Sequence, residues 1–180
     1  MSGDGREDGA AAPLVLALAL ADEAAERLDR DRRAHFPPER NHLRAHLTLF
    51  HALPGDALDG VREHVAAVAR RPPFDVRVSG VRLLGRGVAY AVESPDLQAV
   101  HRELLVGLGG LLGEQLTAQD RQPLSPHVTI QNKVAPDRAQ ELYEQLAEGF
   151  EPWSAPATGL ALWRYLGGPW EPVETVPFAV

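Results

Sequence analysis

The chain has 180 residues, 44% of them hydrophobic and 24% charged, with a mean hydropathy of -0.21, which is the composition of a globular protein of one domain or two intimate lobes. It has no cysteine, which excludes a disulfide framework, a cysteine-type zinc site, an iron–sulfur cluster and a thiol nucleophile. A net charge of -7 opposes any broad DNA-coating role, because such a surface repels phosphate everywhere except at a local basic patch.

Residues 1–12, rich in Gly, Ala and charge, read as a disordered tail. The run Leu14–Ala21 is too short to span a bilayer. Acidic Asp4, Glu7 and Asp8 stand where a signal peptide needs positive charge, so the run reads as a buried strand of a cytoplasmic, non-membrane protein. Asp22 to His35 suits an exposed helix that stops before Pro37-Pro38. Arg44–Phe50 reads as a strand, and the Pro54-Gly55-Asp56 turn leads to a helix with Leu58, Val61, Val65 and Val68 on one face. Phe74–Leu84 and Val88–Val92 alternate as two strands around a Gly85-Arg86-Gly87 turn. Ser94-Pro95 is an N-cap signal for a helix to about Leu112. A strand at His127–Val134, a helix at Asp137–Glu148 and strands near Thr158–Leu166 and Trp170–Phe178 complete the chain.

The two halves match. Each runs strand, helix, a strand opening with His-x-Thr, helix, then an extended pair with a Leu-Gly turn at Leu84-Gly85 or Leu166-Gly167. A weak repeat near 80 residues predicts two similar α+β lobes in a single unit over residues 13–180, divided at about 13–86 and 87–180. The order of elements disfavours a parallel Rossmann sheet.

The motifs are Arg44-Ala45-His46-Leu47-Thr48-Leu49-Phe50 and Ser125-Pro126-His127-Val128-Thr129-Ile130-Gln131-Asn132-Lys133. On a strand, residues two apart share a face, so His46 joins Thr48 and His127 joins Thr129, while Ala45, Leu47, Leu49, Val128, Ile130 and Val134 point to the core. Seven His and five Thr would give about 0.2 such pairs by chance, and two occur at matching places. A lone histidine there would read as a packing residue. A matched pair reads as a site. Two imidazoles titrating near neutrality suit phosphodiester cleavage, one as base and one as acid, with threonine hydroxyls on the phosphate oxygens and no metal or cofactor required.

Paired His-x-Thr motifs of this kind resemble the two-histidine (2H) phosphoesterase superfamily, specifically its 2′-5′ RNA ligase-like members. The resemblance covers nearly the whole chain after the tail. It implies an α+β, bilobal fold: two pseudo-symmetric lobes of antiparallel sheet with flanking helices around a central cleft. It implies His46 and His127 as the catalytic acid/base pair and Thr48 and Thr129 as phosphate ligands. The expected enzyme is a cyclic phosphodiesterase hydrolysing 2′,3′-cyclic phosphates of RNA ends or nucleotides to 2′-phosphates, working without metal. Reversible 2′-5′ ligation is a related alternative, and a non-catalytic RNA-end or nucleotide-binding protein is a rival. Many relatives carry an arginine just after the second motif, where this chain has Gln131-Asn132-Lys133.

Extending the period-two pattern adds Arg44, Phe50, Gln131 and Lys133 as candidate substrate contacts. Lys133 is open to two readings, a point charge on phosphate or a solvated strand end. Phe50 likewise either stacks on a base or packs. Trp163 and Tyr165 share one face of a late strand and could wall the cleft. The remaining histidines, His35, His42, His51, His64 and His101, offer no metal-ligand spacing, and the glycines from Gly107 to Gly113 fit no nucleotide fingerprint. The expected partners are an RNA end or a small cyclic nucleotide, and the expected state is a monomer.

Overall fold

The computed structural model describes residues 12–180, so the tail predicted over residues 1–12 lies almost wholly outside the described residues. Seven strands and four helices follow in the order β1 (Leu14–Leu20), α1 (Asp22–His35), β2 (Leu47–Leu53), α2 (Leu58–Val68), β3 (Phe74–Leu83), β4 (Val88–Glu93), α3 (Pro95–Leu112), β5 (His127–Gln131), α4 (Pro136–Glu148), β6 (Trp153–Tyr165) and β7 (Trp170–Pro177). Among the described residues no helix is long and apolar enough to cross a membrane.

All pairings in the sheet are antiparallel, along the path β2-β1-β6-β3-β4-β5 with β7 also on β6. Strand β6 joins the two lobes. One of its edges pairs with β1; the other pairs with β3 over Trp153–Ala157 and with β7 over Gly159–Tyr165. One lobe is therefore β2-β1-β6-β7 and the other β5-β4-β3-β6. Curling of the sheet brings its two end strands, β2 and β5, near one another. The expected bilobal antiparallel α+β fold is the one observed.

Local chemistry sets the element ends. Helix α1 carries Asp22 and Glu23 in its first turn and Arg32, Arg33 and His35 in its last, complementing the helix dipole, and stops at Phe36 before Pro37. Ser94 Oγ accepts from the Leu97 N–H at 3.1 Å to cap α3, with Pro95 at the first helical position. The hairpins β3–β4 and β6–β7 turn through Gly85 (φ 82°) and Gly167 (φ 87°), the two Leu-Gly sites of the repeat, where the left-handed backbone favours glycine.

The helices cross between lobes. Helix α1, which follows β1 of the first lobe, packs on β5 of the second. Helix α3, which follows β4 of the second lobe, stacks His101 on Phe50 of β2 at 4.9 Å between ring centroids. One continuous apolar core results, running from Leu53, Val61, Val65, Leu104 and Leu108 to Val76, Val92, Val128 and Ile130. His101 and His64 are thus packing residues. His64 fits because Gly107 has no Cβ, which would stand 2.4 Å from the imidazole.

Candidate active site

Both motifs sit on edge strands, and both histidines are oriented the same way. His46 Nδ1 lies 2.8 Å from the Arg44 carbonyl and His127 Nδ1 lies 2.9 Å from the Ser125 carbonyl, in each case two residues back along the chain. A carbonyl only accepts, so each Nδ1 carries the hydrogen and each Nε2 is left available. Strand β2 begins at Leu47, so His46 stands at its entry, whereas His127 opens β5. Charge on His127 contributes to lowering the pKa of His46.

The neighbouring strand gives each lobe a floor of small side chains. Thr48 lies opposite Ala17, and Thr129 opposite Ala89; His127 lies opposite Ala91. Directly paired antiparallel residues share a face, so these alanines leave open space beside the motifs. Among the described residues neither threonine hydroxyl has a protein partner, so both remain free to donate to a ligand.

Alternation then fails at the same place in both lobes. Ala17 opposes Thr48 but the adjacent Leu16 opposes Phe50; Ala89 opposes Thr129 but the adjacent Val88 opposes Gln131. One residue of each motif strand, Leu49 or Ile130, is skipped. Such a bulge resets which face the following residue takes. It corrects the expectation for two candidates. Phe50 is fully buried against His101 and cannot reach a ligand, and Gln131, 4% exposed, turns into the core with its Oε1 unpartnered among the described residues.

The other two candidates are placed differently again. Strand β5 ends at Gln131, before the Val134 expected for it, because Lys133 adopts a left-handed turn (φ 62°) with its N–H on Asn132 Oδ1. Lys133 is exposed beyond the strand and does not extend the His127–Thr129 face. Arg44 is exposed, and its guanidinium is held by Glu26 at 2.9 Å and Asp29 at 3.3 Å on α1. What Arg44 brings to the site is its carbonyl, the acceptor for His46.

Two residues that periodicity did not select belong to the site. Arg32 of α1 is 4% exposed; it donates through Nη1 to the Thr129 carbonyl and through Nε to Asn41 Oδ1, both at 2.9 Å. Burial lowers its guanidinium to about 10, partly offset by Asp29, so it remains a cation at neutral pH. Trp170 of β7 packs on the His46 ring at 4.5 Å and lies 6.1 Å from Trp163. The only sequence signal for Trp170 was its place after the second Leu-Gly turn. Arg32 gave none, being one of several charged residues on a polar helix.

The environment of His46 sets its charge. Burial pushes His46 down to about 4; its bond to the Arg44 carbonyl opposes this, while Arg32, His127 and His51 reinforce it. His46 is therefore neutral at pH 7. His51, which follows the bulge, belongs to a structural cluster: Asp120 accepts from the His51 and Ala52 N–H groups at 2.7 and 3.0 Å. A cavity of about 380 Å³ lies away from the motifs, on the helix side of the second lobe, where Arg27 covers Trp153 and Tyr90 bonds Asp31. Among the described residues no cluster of three His, Asp or Glu side chains is arranged to hold a metal ion.

Two bulged His-x-Thr strands that meet at the ends of one curled antiparallel sheet are the arrangement expected of a 2H phosphoesterase. The 2′-5′ RNA ligase superfamily profile matches residues 20–169, and the chain belongs to that family. Its fold is shared with the protein TT0787 of Thermus thermophilus, at 22% identity and a TM-score of 0.68, covering 92% of this chain and 97% of that one. Escherichia coli LigT in apo form matches at 18% identity and a TM-score of 0.63, covering 94% and 99%. LigT in complex with 3′-AMP matches at 19% identity and a TM-score of 0.60, with the same coverage. No curated protein sequence matches the chain.

Proposed function

We propose that this chain is a metal-independent cyclic phosphodiesterase that opens 2′,3′-cyclic phosphates of RNA ends or nucleotides to 2′-phosphates. It does so as one unit over residues 13–180, built from repeats at about 13–86 and 87–180. The observation that carries this reading is the matched pair of imidazoles, each fixed in the Nδ1–H tautomer with Nε2 free. That LigT, a fold relative, is known in complexes with 3′-AMP and with phosphate supports a nucleotide ligand.

The environment of His46 allocates its role, and the other step falls to His127. His46, neutral at pH 7, accepts a proton from the attacking water at Nε2. The water oxygen bonds to phosphorus as the bond to the 3′ oxygen breaks, and protonated His127 gives that leaving oxygen its proton. Hydrolysis thus ends with a 2′-phosphate, a free 3′ hydroxyl, cationic His46 and neutral His127, which solvent returns to their starting states. Thr48 and Thr129 hold non-bridging oxygens, and the Arg32 cation beneath Thr129 stabilises the charge that develops there. Trp163 and Trp170 offer aromatic faces to a base beside His46. The same steps with an RNA hydroxyl in place of water make a 2′-5′ bond and free the 3′ hydroxyl, and run backwards they cleave that bond to the cyclic phosphate.

The test is incubation with 2′,3′-cyclic nucleotides in EDTA, resolving the 2′- from the 3′-monophosphate. The expected product is the 2′-monophosphate at undiminished rate. Activity lost to chelator and restored by a divalent metal would show instead that the histidines are ligands.

A further inference from the structure

The small-residue floor is symmetric for two strands and then stops being so. In the first lobe the row running from the motif reads Thr48, Ala17, Ala161. In the second it reads Thr129, Ala89, Arg82. An arginine therefore stands where the first lobe keeps an alanine, on the face that carries His127 and Thr129. Next to it in β3 the same face holds Gly80, opposite Ala91, so no bulky side chain separates Arg82 from the motif.

Its bonding fixes where the guanidinium lies. Arg82 Nη1 donates to Ser125 Oγ at 2.9 Å, and the Ser125 carbonyl is the acceptor for His127 Nδ1. Arg82 thus reaches the residue that orients His127. The cations Arg33, Arg44, Arg62 and Arg71 are all engaged by carboxylates, but among the described residues Arg82 has only a neutral hydroxyl as side-chain partner, in an exposed hydrogen bond. On the same face the nearest acidic residue of the β3–β4 ladder, Glu93, lies opposite Arg77 and not Arg82. A guanidinium with no carboxylate partner among the described residues, in a protein of net charge -7, is suited to an anion brought by a ligand.

We propose that Arg82, oriented by Ser125, is a specificity-determining residue that binds the phosphate flanking the reacting one. The preferred substrate is then an RNA end rather than a free mononucleotide. This rests on the proposed function and names its substrate class. The spacing decides between the two phosphates. Ser125 precedes Thr129 by four residues, about 13 Å of extended chain, so a guanidinium held at Ser125 is too far from Thr129 to share one phosphate with it and suits the next phosphate of a chain.

The test measures binding without turnover. Wild type, Arg82→Gln, Arg82→Lys and Ser125→Ala are titrated with a mononucleoside 2′-phosphate and with an RNA trinucleotide ending in a 2′-phosphate, over a series of salt concentrations. For wild type, the trinucleotide should bind at least tenfold tighter. In Arg82→Gln that ratio should fall to within about threefold, and the trinucleotide's log–log salt slope should drop by about one. Arg82→Lys should keep the slope but lose part of the ratio, and Ser125→Ala should fall between. An unchanged ratio and slope in Arg82→Gln would overturn the proposal while leaving the phosphodiesterase reading intact. So would an equal loss for both ligands, which would put Arg82 on the reacting phosphate. Failure of wild type to bind either ligand would overturn both readings.

Discussion

The two motif strands are near-copies in sequence and shape, yet they are anchored to the rest of the molecule by opposite charges. Both are sheet ends with one edge unpaired, and unpaired backbone groups at an edge need partners. On β2 and its approach the partners are carboxylates: Asp29 accepts from the Ala45 N–H at 2.7 Å, and Asp120 accepts from His51 and Ala52. On β5 the partner is a guanidinium, Arg32, on the Thr129 carbonyl. The first lobe's clamps attract cations and the second's attracts anions. A pseudo-symmetric frame thereby acquires an electrostatic direction, and the anionic ligand is expected against the second motif.

Removing the histidines gives the largest effect. His46→Ala and His127→Ala should each lower kcat on a 2′,3′-cyclic nucleotide by roughly 10²–10⁴-fold, since each deletes one proton transfer. Thr48→Ala and Thr129→Ala should cost less, because acid and base remain. Near-normal turnover by His127→Ala would leave only one functional lobe and end the comparison.

A pH series separates the two imidazoles. His46 titrates at about 4 in the folded protein and near 6.5 unfolded, so between those values the unfolded chain binds more protons. Its contribution to stability is full above 6.5 and is lost as pH falls towards 4. Urea unfolding at successive pH values should show wild type losing stability more steeply than His46→Asn across that window. In the free enzyme the acid limb of kcat/KM should likewise lie well below the ordinary histidine range. An acid limb near 6.5 that is abolished in the His127 variant would reverse the roles assigned to the pair.

The clamps themselves come next in size. Arg32→Met leaves the Thr129 carbonyl and Asn41 unpaired, and Asp120→Asn weakens the hold on two N–H groups; each should cost about 1–3 kcal/mol in urea unfolding. Only Arg32→Met should also raise KM for an anionic substrate. Equal effects of both variants on KM would mean that the clamps are structural alone.

Much of this was written in the chain. Alternating Leu47, Leu49, Val128 and Ile130 marked the core faces, Ser94-Pro95 the start of α3, and the Leu-Gly pairs the two hairpins; all are in the structure. What period two could not carry was anything beyond the threonines. A bulge has no composition of its own, so period two sets Phe50 and Gln131 on the wrong face, and a left-handed Lys133 ends a strand that polarity alone would continue. Arg32, Arg82 and Trp170 come to the site from α1, β3 and β7, and only sheet register and the crossing of α1 between lobes bring them there.

The smallest expected effect tests the bulge itself. At the position after the skipped residue the first lobe buries Phe50 and the second buries Gln131, whose Oε1 has no partner among the described residues. A buried amide oxygen without a hydrogen bond loses its solvation for nothing, which costs about 1–3 kcal/mol on mutational scales. Gln131→Met keeps the length of the side chain and removes both polar groups, so no new cavity opens. The variant should be as stable as wild type or up to about 1 kcal/mol more stable, with turnover unchanged within twofold, because the side chain faces away from His127 and Thr129. The contrast with the surface reading is sharp. A Gln131 on the cleft face would lose a ligand contact on substitution, so a clear rise in KM for Gln131→Met, without loss of stability, would mean that the bulge does not turn this residue inward.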